Sequence, residues 1–217
     1  MKYTCISAAN IAPARATSAS TRACAMLAEL LHAQDSAAQV TVLPLLDYEL
    51  RPCRMCGDCF DSGFCTHDEA FNAVYRAIIA ADAVFLVCPH YAPIPSKVMV
   101  LMEKLEELAF LKYCADNNHH TPLYNKPVGI VAHGGQTESA ATLGYYKTAL
   151  LDPLANALAS VQMRVAGAGE GWPNGAVFGI RAIGMRPESI FVDITHDWVA
   201  IRARLAPLAA NVVKILL

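Results

Sequence analysis

Apolar runs of strand length alternate along this chain with stretches that carry the hydrophobic period of an α-helix. The strand-like runs are residues 2–7, 40–43, 83–88, 127–132 and 161–166, and the helical stretches are residues 20–33, 67–80, 96–113, 138–159 and 197–217. Such alternation is typical of βαβ units with right-handed crossovers. It predicts an α/β fold with a doubly wound, five-stranded parallel sheet, in a single domain over residues 1–217.

Two segments depart from the alternation. Residues 48–66 form a cysteine-rich insertion after the second strand, and residues 167–189 form a glycine-rich excursion. Pro153 falls inside the helical stretch 138–159 and predicts a kink there. Because ligands of doubly wound sheets bind beyond the carboxyl ends of the strands, the loops that follow the strands are the candidate site.

Composition narrows the class of protein. The 217 residues include 17 basic and 19 acidic side chains, for a net charge of −2 with neutral histidines. This balance argues against a nucleic-acid interface, which needs a basic surface. A hydrophobic fraction of 55% excludes intrinsic disorder, and no apolar run approaches the roughly 18 residues of a membrane span.

The mean hydropathy of +0.33 is high for a soluble monomer. We therefore expect a homodimer or homotetramer, in which part of the apolar surface is covered by a second copy. Five apolar residues of the last helix are candidates for a buried face: Leu205, Leu208, Val212, Ile215 and Leu216.

The first residues resemble a strand and lack the pattern of a signal peptide, so we expect a cytoplasmic protein. In a reducing compartment, clustered thiols indicate metal or redox chemistry more often than disulfides. Four of the eight cysteines stand alone and receive no function: Cys5, Cys24, Cys88 and Cys114.

The other four cysteines fall within thirteen residues, in the spacing C-x2-C-x2-C-x5-C. They are Cys53, Cys56, Cys59 and Cys65. Soft thiolates select iron–sulfur clusters or zinc, and consecutive C-x2-C steps favour a [4Fe-4S] cluster over the separated pairs of structural zinc sites. Two alternatives stay open: zinc with His67 as a further ligand, and free or oxidised thiols.

The loop after the first strand, residues 7–21, is rich in hydroxyl groups and opens a helix. Backbone N–H groups at a helix N-terminus favour an anion, and Ser18, Ser20 and Thr21 add hydroxyl donors. Neither G-x-G-x-x-G nor G-K-[ST] is present, which favours a monophosphate over a dinucleotide. The alternative is ordinary helix capping by Ser18 or Ser20.

Four segments together resemble the flavodoxin-like NAD(P)H-dependent FMN reductases, and within them the iron–sulfur flavoproteins. They are the hydroxyl-rich loop, the cysteines running into residues 67–70, the strand with Pro-x-Tyr and Pro-Ser at residues 81–96, and His-Gly-Gly-Gln at residues 133–136. These segments span about two-thirds of the chain.

The resemblance implies a flavodoxin-like fold, FMN as cofactor and NAD(P)H as co-substrate. It implies that the FMN phosphate is held by Ser7, Arg15, Ser18, Ser20 and Thr21. The isoalloxazine and ribityl chain would contact Pro89, His90, Tyr91 and Ile94 on one side and His133, Gly134, Gly135 and Gln136 on the other. The cluster ligands would be Cys53, Cys56, Cys59 and Cys65.

The activity implied by the resemblance is an NAD(P)H oxidoreductase that passes electrons through flavin and a [4Fe-4S] cluster to a small-molecule or protein acceptor. Three alternatives remain: a cluster-free NAD(P)H:FMN or quinone-type reductase, an electron carrier between proteins, and a zinc-stabilised binding module. No nucleophile or acid–base motif is present, such as G-x-S-x-G or H-E-x-x-H, so no catalytic side chain is assigned.

Overall fold

The computed structural model describes residues 1–11, 17–185 and 192–217. Its strands are β1 Lys2–Ser7, β2 Gln39–Pro44, β3 Ala83–Pro89, β4 Pro127–Thr137, β5 Arg164–Ala166, β6 Ala176–Ile180, β7 Ala182–Met185 and β8 Val192–Thr195. Its helices are α1 Ala19–Gln34, α2 Cys59–Ser62, α3 Glu69–Ala80, α4 Ser96–Ala115, α5 Ala140–Tyr146, α6 Asp152–Ser160 and α7 Trp198–Leu216.

The main sheet is parallel and has the order β2-β1-β3-β4-β5, with β6 also paired to β4. This order confirms the predicted α/β fold and is one of the two common arrangements of doubly wound sheets. All seven residues of β3 are buried, because helices cover both faces of the sheet.

The sheet has six strands among the described residues, one more than predicted. β4 has eleven residues and β5 only three, so β5 pairs with only the first part of β4. β6 pairs with the following part of the same edge of β4. Gly175, at φ +138°, lets the chain return to β4, since a Cβ there would overlap the carbonyl of Ile130. The predicted excursion therefore contains a core strand, followed by the antiparallel pair β7–β8.

Two apolar layers hold the helices to the sheet. On one face, α1 and α7 pack through residues such as Leu27, Leu31 and Leu208. On the other face, α3, α4 and α6 pack through residues such as Val74, Leu105 and Leu154.

The last helix buries its apolar face within its own subunit. Leu205, Leu208 and Val212 are at most 1% exposed and pack into the α1 side of the core. Ile215 and Leu216 are partly buried against the same cluster. These five residues therefore do not form a free face for a second copy, which removes that reason for expecting an oligomer.

The predicted helix 138–159 is divided into three parts. Ser139 caps α5 by accepting from the N–H of Thr142, a π-helical turn spans Lys147–Leu151, and α6 follows with Pro153 near its start. Leu151 and Asp152 both keep helical backbone angles, so the chain stays helical through Pro153 at the junction of the π-helical turn and α6. None of the helices in the described ranges combines the length and apolar character needed to cross a bilayer.

Candidate functional site

A cleft of about 610 Å³ lies at the carboxyl edge of the sheet, between the N-terminus of α1 and the ends of β3 and β4. We call it the carboxyl-edge cleft. Eight of the predicted cofactor contacts line it: Ser18, Ser20, Pro89, His90, Tyr91, His133, Gly134 and Gly135. The position agrees with the rule that places ligands at the carboxyl ends of parallel strands.

Hydrogen bonds between its own side chains hold the hydroxyl-rich loop in place. The Ser18 side chain caps α1 by accepting from the N–H of Thr21, and the Thr21 hydroxyl lies 2.9 Å from Ser7 Oγ. Ser7 is 1% exposed, and neither Ser7 nor Thr21 lines the cleft. Their hydroxyls are directed at each other and fix the helix entrance. Arg15 lies outside the described residues.

His133 is a buried, neutral side chain at the base of the cleft. Its Nε2 lies 2.8 Å from the Ser20 hydroxyl, and its ring stacks on Phe178 at 4.7 Å. Burial, with a smaller contribution from the nearby His196, lowers the pKa of His133 to about 3. The imidazole is therefore uncharged at neutral pH and ties β4 to the start of α1.

The two glycines after His133 differ in their surroundings. A Cβ at Gly134 would overlap the hydroxyl of Tyr146, so this glycine is required by packing inside the protein. A Cβ at Gly135 would meet nothing within 4 Å, so this backbone faces open space in the cleft. Gln136 lies outside the lining, and its N–H donates to the Tyr146 hydroxyl at 2.9 Å.

The segment after β3 forms the opposite rim. His90 Nε2 lies 2.9 Å from the Tyr145 hydroxyl, and Tyr91 is 39% exposed. The turn closes through a bond from the Tyr91 N–H to the Pro93 carbonyl, with Ala92 at φ +58°. Ile94 packs against the core and does not line the cleft.

Arg22, His196 and Trp198 line the cleft but were missed from the sequence. The Arg22 guanidinium lies 4.3 Å from the centre of the Trp198 ring, and His196 packs on Trp198 at 5.1 Å. The sequence did contain a signal that could have placed Trp198 and Arg22 at the site. Helices that return antiparallel to the strands all begin at the carboxyl edge, so the first residues of α7 belong beside those of α1.

The cysteine-rich segment, residues 48–66, forms a second small cavity of about 30 Å³. Cys53, Cys56, Cys59 and Cys65 all line it, as does His67. All four thiols are free. Burial, together with Glu107 and the sulfurs of Cys65 and Cys53, raises the pKa of the Cys59 thiol. The structure thus brings the four predicted ligands to one place.

The spacing of these sulfurs differs from that of a zinc site. Tetrahedral zinc with Zn–S bonds of about 2.3 Å holds its sulfurs about 3.8 Å apart. Among the described residues, the one group of three ligand atoms within 4.8 Å of one another is Cys56, Asp58 and His67. No three of the four sulfurs lie within 4.8 Å of one another, so these cysteines do not form a preassembled tetrahedral zinc site.

The chain is 27% identical over 96 residues to the iron-sulfur flavoprotein of Methanosarcina thermophila, a match that covers 44% of this chain and 49% of that protein. The chain thus matches about half the length of this curated relative.

Solved structures show the same fold. An oxidoreductase from Corynebacterium diphtheriae has a TM-score of 0.59 at 15% identity, over 99% of this chain and 96% of that chain. RosB, solved with 8-demethyl-8-formylriboflavin-5'-phosphate, has a TM-score of 0.59 at 16% identity, over 100% of this chain and 79% of that chain. The NADH:FMN oxidoreductase EMOB, in its apo form, has a TM-score of 0.53 at 15% identity, over 99% of this chain and 88% of that chain.

The model of one family, NADPH-dependent FMN reductase, matches residues 9–167. That range begins just after β1 and takes in β2 to β5, the cysteine-rich segment and both rims of the carboxyl-edge cleft. The match extends over well more than half of the chain, and the chain belongs to the NADPH-dependent FMN reductase family.

Proposed function

We propose that this protein binds FMN in the carboxyl-edge cleft, takes hydride from NADH or NADPH and passes the electrons to an acceptor. The observation that carries the proposal is the convergence of three separate chain segments on one cleft of about 610 Å³. That volume lies within the usual range of small-molecule sites, about 300–1,000 Å³. FMN would supply hydride acceptance and stepwise electron release.

The cleft offers each part of FMN a suitable surface. The N-terminus of α1, where Ser18 and Ser20 line the cleft, offers backbone N–H groups that suit the phosphate, and Arg22 adds a positive charge beside it. Pro89, His90 and Tyr91 would flank the flat ring. The open backbone at Gly135 would let the ring lie close to β4.

We propose further that Cys53, Cys56, Cys59 and Cys65 hold a [4Fe-4S] cluster that relays electrons from the flavin. Two observations support this: the four cysteines share one cavity, and the chain partly matches a protein named iron-sulfur flavoprotein. Thiolates are soft ligands suited to iron–sulfur clusters. The cluster-free reductase, the electron carrier and the zinc module are separate outcomes of the tests below.

A pair of glycine substitutions tests the FMN site. Gly135→Leu extends a side chain into the open space of the cleft, so we expect FMN affinity to fall at least tenfold. Gly144→Leu is the matched control, because a Cβ at Gly144 also meets nothing within 4 Å but Gly144 does not line the cleft. Isothermal titration with FMN measures both. Equal affinity in the two variants would place the flavin elsewhere.

Anaerobic purification followed by absorbance from 300 to 700 nm separates the candidate functions. Flavin bands with a broad shoulder near ~400 nm, and about four iron atoms per chain, would support the cluster. Flavin bands without iron would leave a cluster-free reductase. Flavin and iron without turnover of NADH or NADPH would indicate an electron carrier. A colourless, zinc-containing protein that binds no FMN would contradict both proposals.

A further inference from the structure

Lys104 is a buried cation beneath the cysteine-rich segment. It lies on α4, and only 4% of the residue is exposed. Its ammonium lies 3.3 Å from the Asp68 carboxylate, whose side chain is 2% exposed, and 5.3 Å from the centre of the Phe71 ring. Burying a charge is costly unless it is well paired, so the contacts of this lysine indicate what it does.

The first partner of the Lys104 ammonium is the carboxylate of Asp68. This carboxylate accepts the backbone N–H of Arg51 at 2.8 Å and that of Phe71 at 3.0 Å, which caps α3. Burial alone would raise the pKa of Asp68, but these bonds and the one from Lys104 lower it below its ordinary value. The aspartate therefore holds the entrance of the cysteine-rich segment to the start of α3.

The second partner of the Lys104 ammonium is the sulfur of Cys65. The Lys104 ammonium donates to Cys65 Sγ at 3.4 Å, and Lys104 lines the cavity of the four cysteines. Cys65 is itself fixed by Asn72, which accepts the Cys65 N–H at 2.9 Å and donates to its carbonyl at 2.7 Å. The sulfur therefore meets the ammonium in a preset geometry.

The rest of the cavity surroundings carry charge of both signs, since Arg51 and Arg54 also line the cavity. Glu107 lines the cavity, and Glu103 accepts the N–H of Cys53 at 3.1 Å. Asp58 lies beside Cys56, where hydrogen bonds from His67 and Cys56 lower the pKa of the Asp58 carboxyl. Thiolate ligands add further negative charge. A buried cation in contact with one sulfur offsets part of that charge.

We propose that Lys104 is a positioning residue of the four-cysteine site, whose N–H···S bond to Cys65 stabilises the reduced state of the metal–thiolate centre. The inference rests on the cluster in the proposed function. One electron enters on reduction, the centre becomes one unit more negative, and no bond or proton changes. Hydrogen bonds to ligand sulfurs and net charge are known to set such potentials.

The test is a redox titration of the full-length protein with reconstituted iron and sulfide, using dithionite as reductant and electron paramagnetic resonance as readout. For Lys104→Met we expect at least a tenfold lower ratio of reduced to oxidised centres at a fixed potential, a shift of about 59 mV for one electron. Lys104→Arg keeps a charged donor and should recover part of the shift.

Lys97→Met is the matched control. Lys97 lies on the same helix, donates to the carbonyls of Leu46 and Tyr48 and pairs with Glu49. It does not line the cavity of the four cysteines, so the potential should stay at the wild-type value. Lys104→Met leaves Asp68 buried without its cation, and a Lys104→Met/Asp68→Asn variant removes both charges in case the single variant fails to fold. We expect it to shift the potential in the same direction.

The outcomes separate the two proposals. A wild-type protein that binds no iron overturns the cluster and, with it, the role of Lys104. A wild-type protein that binds the cluster, with an unchanged potential in the folded Lys104 variants, overturns the role of Lys104 alone.

Discussion

The hydroxyl of Ser20 and the imidazole of His133 meet although 113 residues separate them in the chain. Their bond joins the start of α1 to the end of β4, the two walls of the carboxyl-edge cleft. The imidazole performs this role as a neutral group, since burial lowers the pKa of His133 to about 3. Protonation of His133 is therefore coupled to the bond that holds α1 and β4 together at the cleft.

This coupling predicts a specific pH dependence. Between pH 6.5 and 3 the unfolded chain protonates His133 and the folded chain does not, so stability falls as the pH is lowered through this window. From pH 7 to pH 5, His133 should account for about 2 kcal/mol of lost unfolding free energy. Urea unfolding at each pH measures it.

Two variants isolate the effect from other titrating groups. His133→Gln removes the imidazole and should give a shallower decline of stability with falling pH, whatever its stability at pH 7. His120→Gln replaces an exposed histidine and should keep the wild-type slope. Parallel slopes for all three proteins would show that His133 is not the coupled group.

Single residues also show how far sequence reasoning reached. Ser18, His90 and Gly135 were predicted at the site because their types and local order follow a strand end, and they line the cleft. Arg22 and Trp198 were missed because their contact joins two distant helices. Gly134 lines the cleft, but the requirement for glycine there comes from Tyr146, a partner that no local pattern identifies.

At the scale of elements, α7 is tied to the edge of the sheet by one partly buried ion pair. The Arg204 guanidinium donates to both carboxylate oxygens of Glu138, which also accepts the Gly179 N–H of β6 at 3.1 Å. The bonds from Arg204 lower the pKa of Glu138. One side chain thus joins the end of β4, the last core strand and the last helix.

Loss of this pair should loosen β6. Arg204→Met is expected to lower the unfolding free energy by about 1.5 to 3 kcal/mol, the range for hydrogen bonds to charged groups, and to speed amide exchange at Gly179. Arg202→Met is the control, because its partner Glu29 is exposed and such pairs contribute about 0–1 kcal/mol. Hydrogen exchange followed by mass spectrometry reports both. Unchanged exchange in β6 would contradict the coupling.

Periodicity predicted these elements unevenly. The helices α1, α3, α4 and α7 and the first three strands were found with small errors at their ends, and β4 extends five residues beyond its predicted end. The strand β6 was missed because it follows a glycine-rich stretch and its pairing depends on the length of β4. The stretch 138–159 was predicted as one helix because no local sequence pattern marks the π-helical turn at Lys147–Leu151.

At the scale of the whole molecule, the cleft exists only in the complete fold, since its lining comes from both ends of the chain. A ligand that binds only the folded state stabilises it by mass action. FMN at one hundred times its dissociation constant should therefore raise the unfolding free energy by about 2.7 kcal/mol.

Urea unfolding with and without FMN measures this gain. Riboflavin at the same concentration is the comparison. It lacks the phosphate that would bind at the N-terminus of α1, and we expect a smaller gain. Equal stabilisation by both compounds would argue against a phosphate subsite in the cleft.

The position of Trp198 has a consequence for biosynthesis. This residue begins α7, which docks through Leu205, Leu208 and Val212 onto a sheet made of much earlier residues. A chain emerging from the ribosome can pair β1, β3 and β4 before α7 exists, yet one wall of the cleft is then missing. If FMN binds in this cleft as proposed, we expect tight binding to follow the docking of α7, so that the newly made chain folds around an empty cleft first.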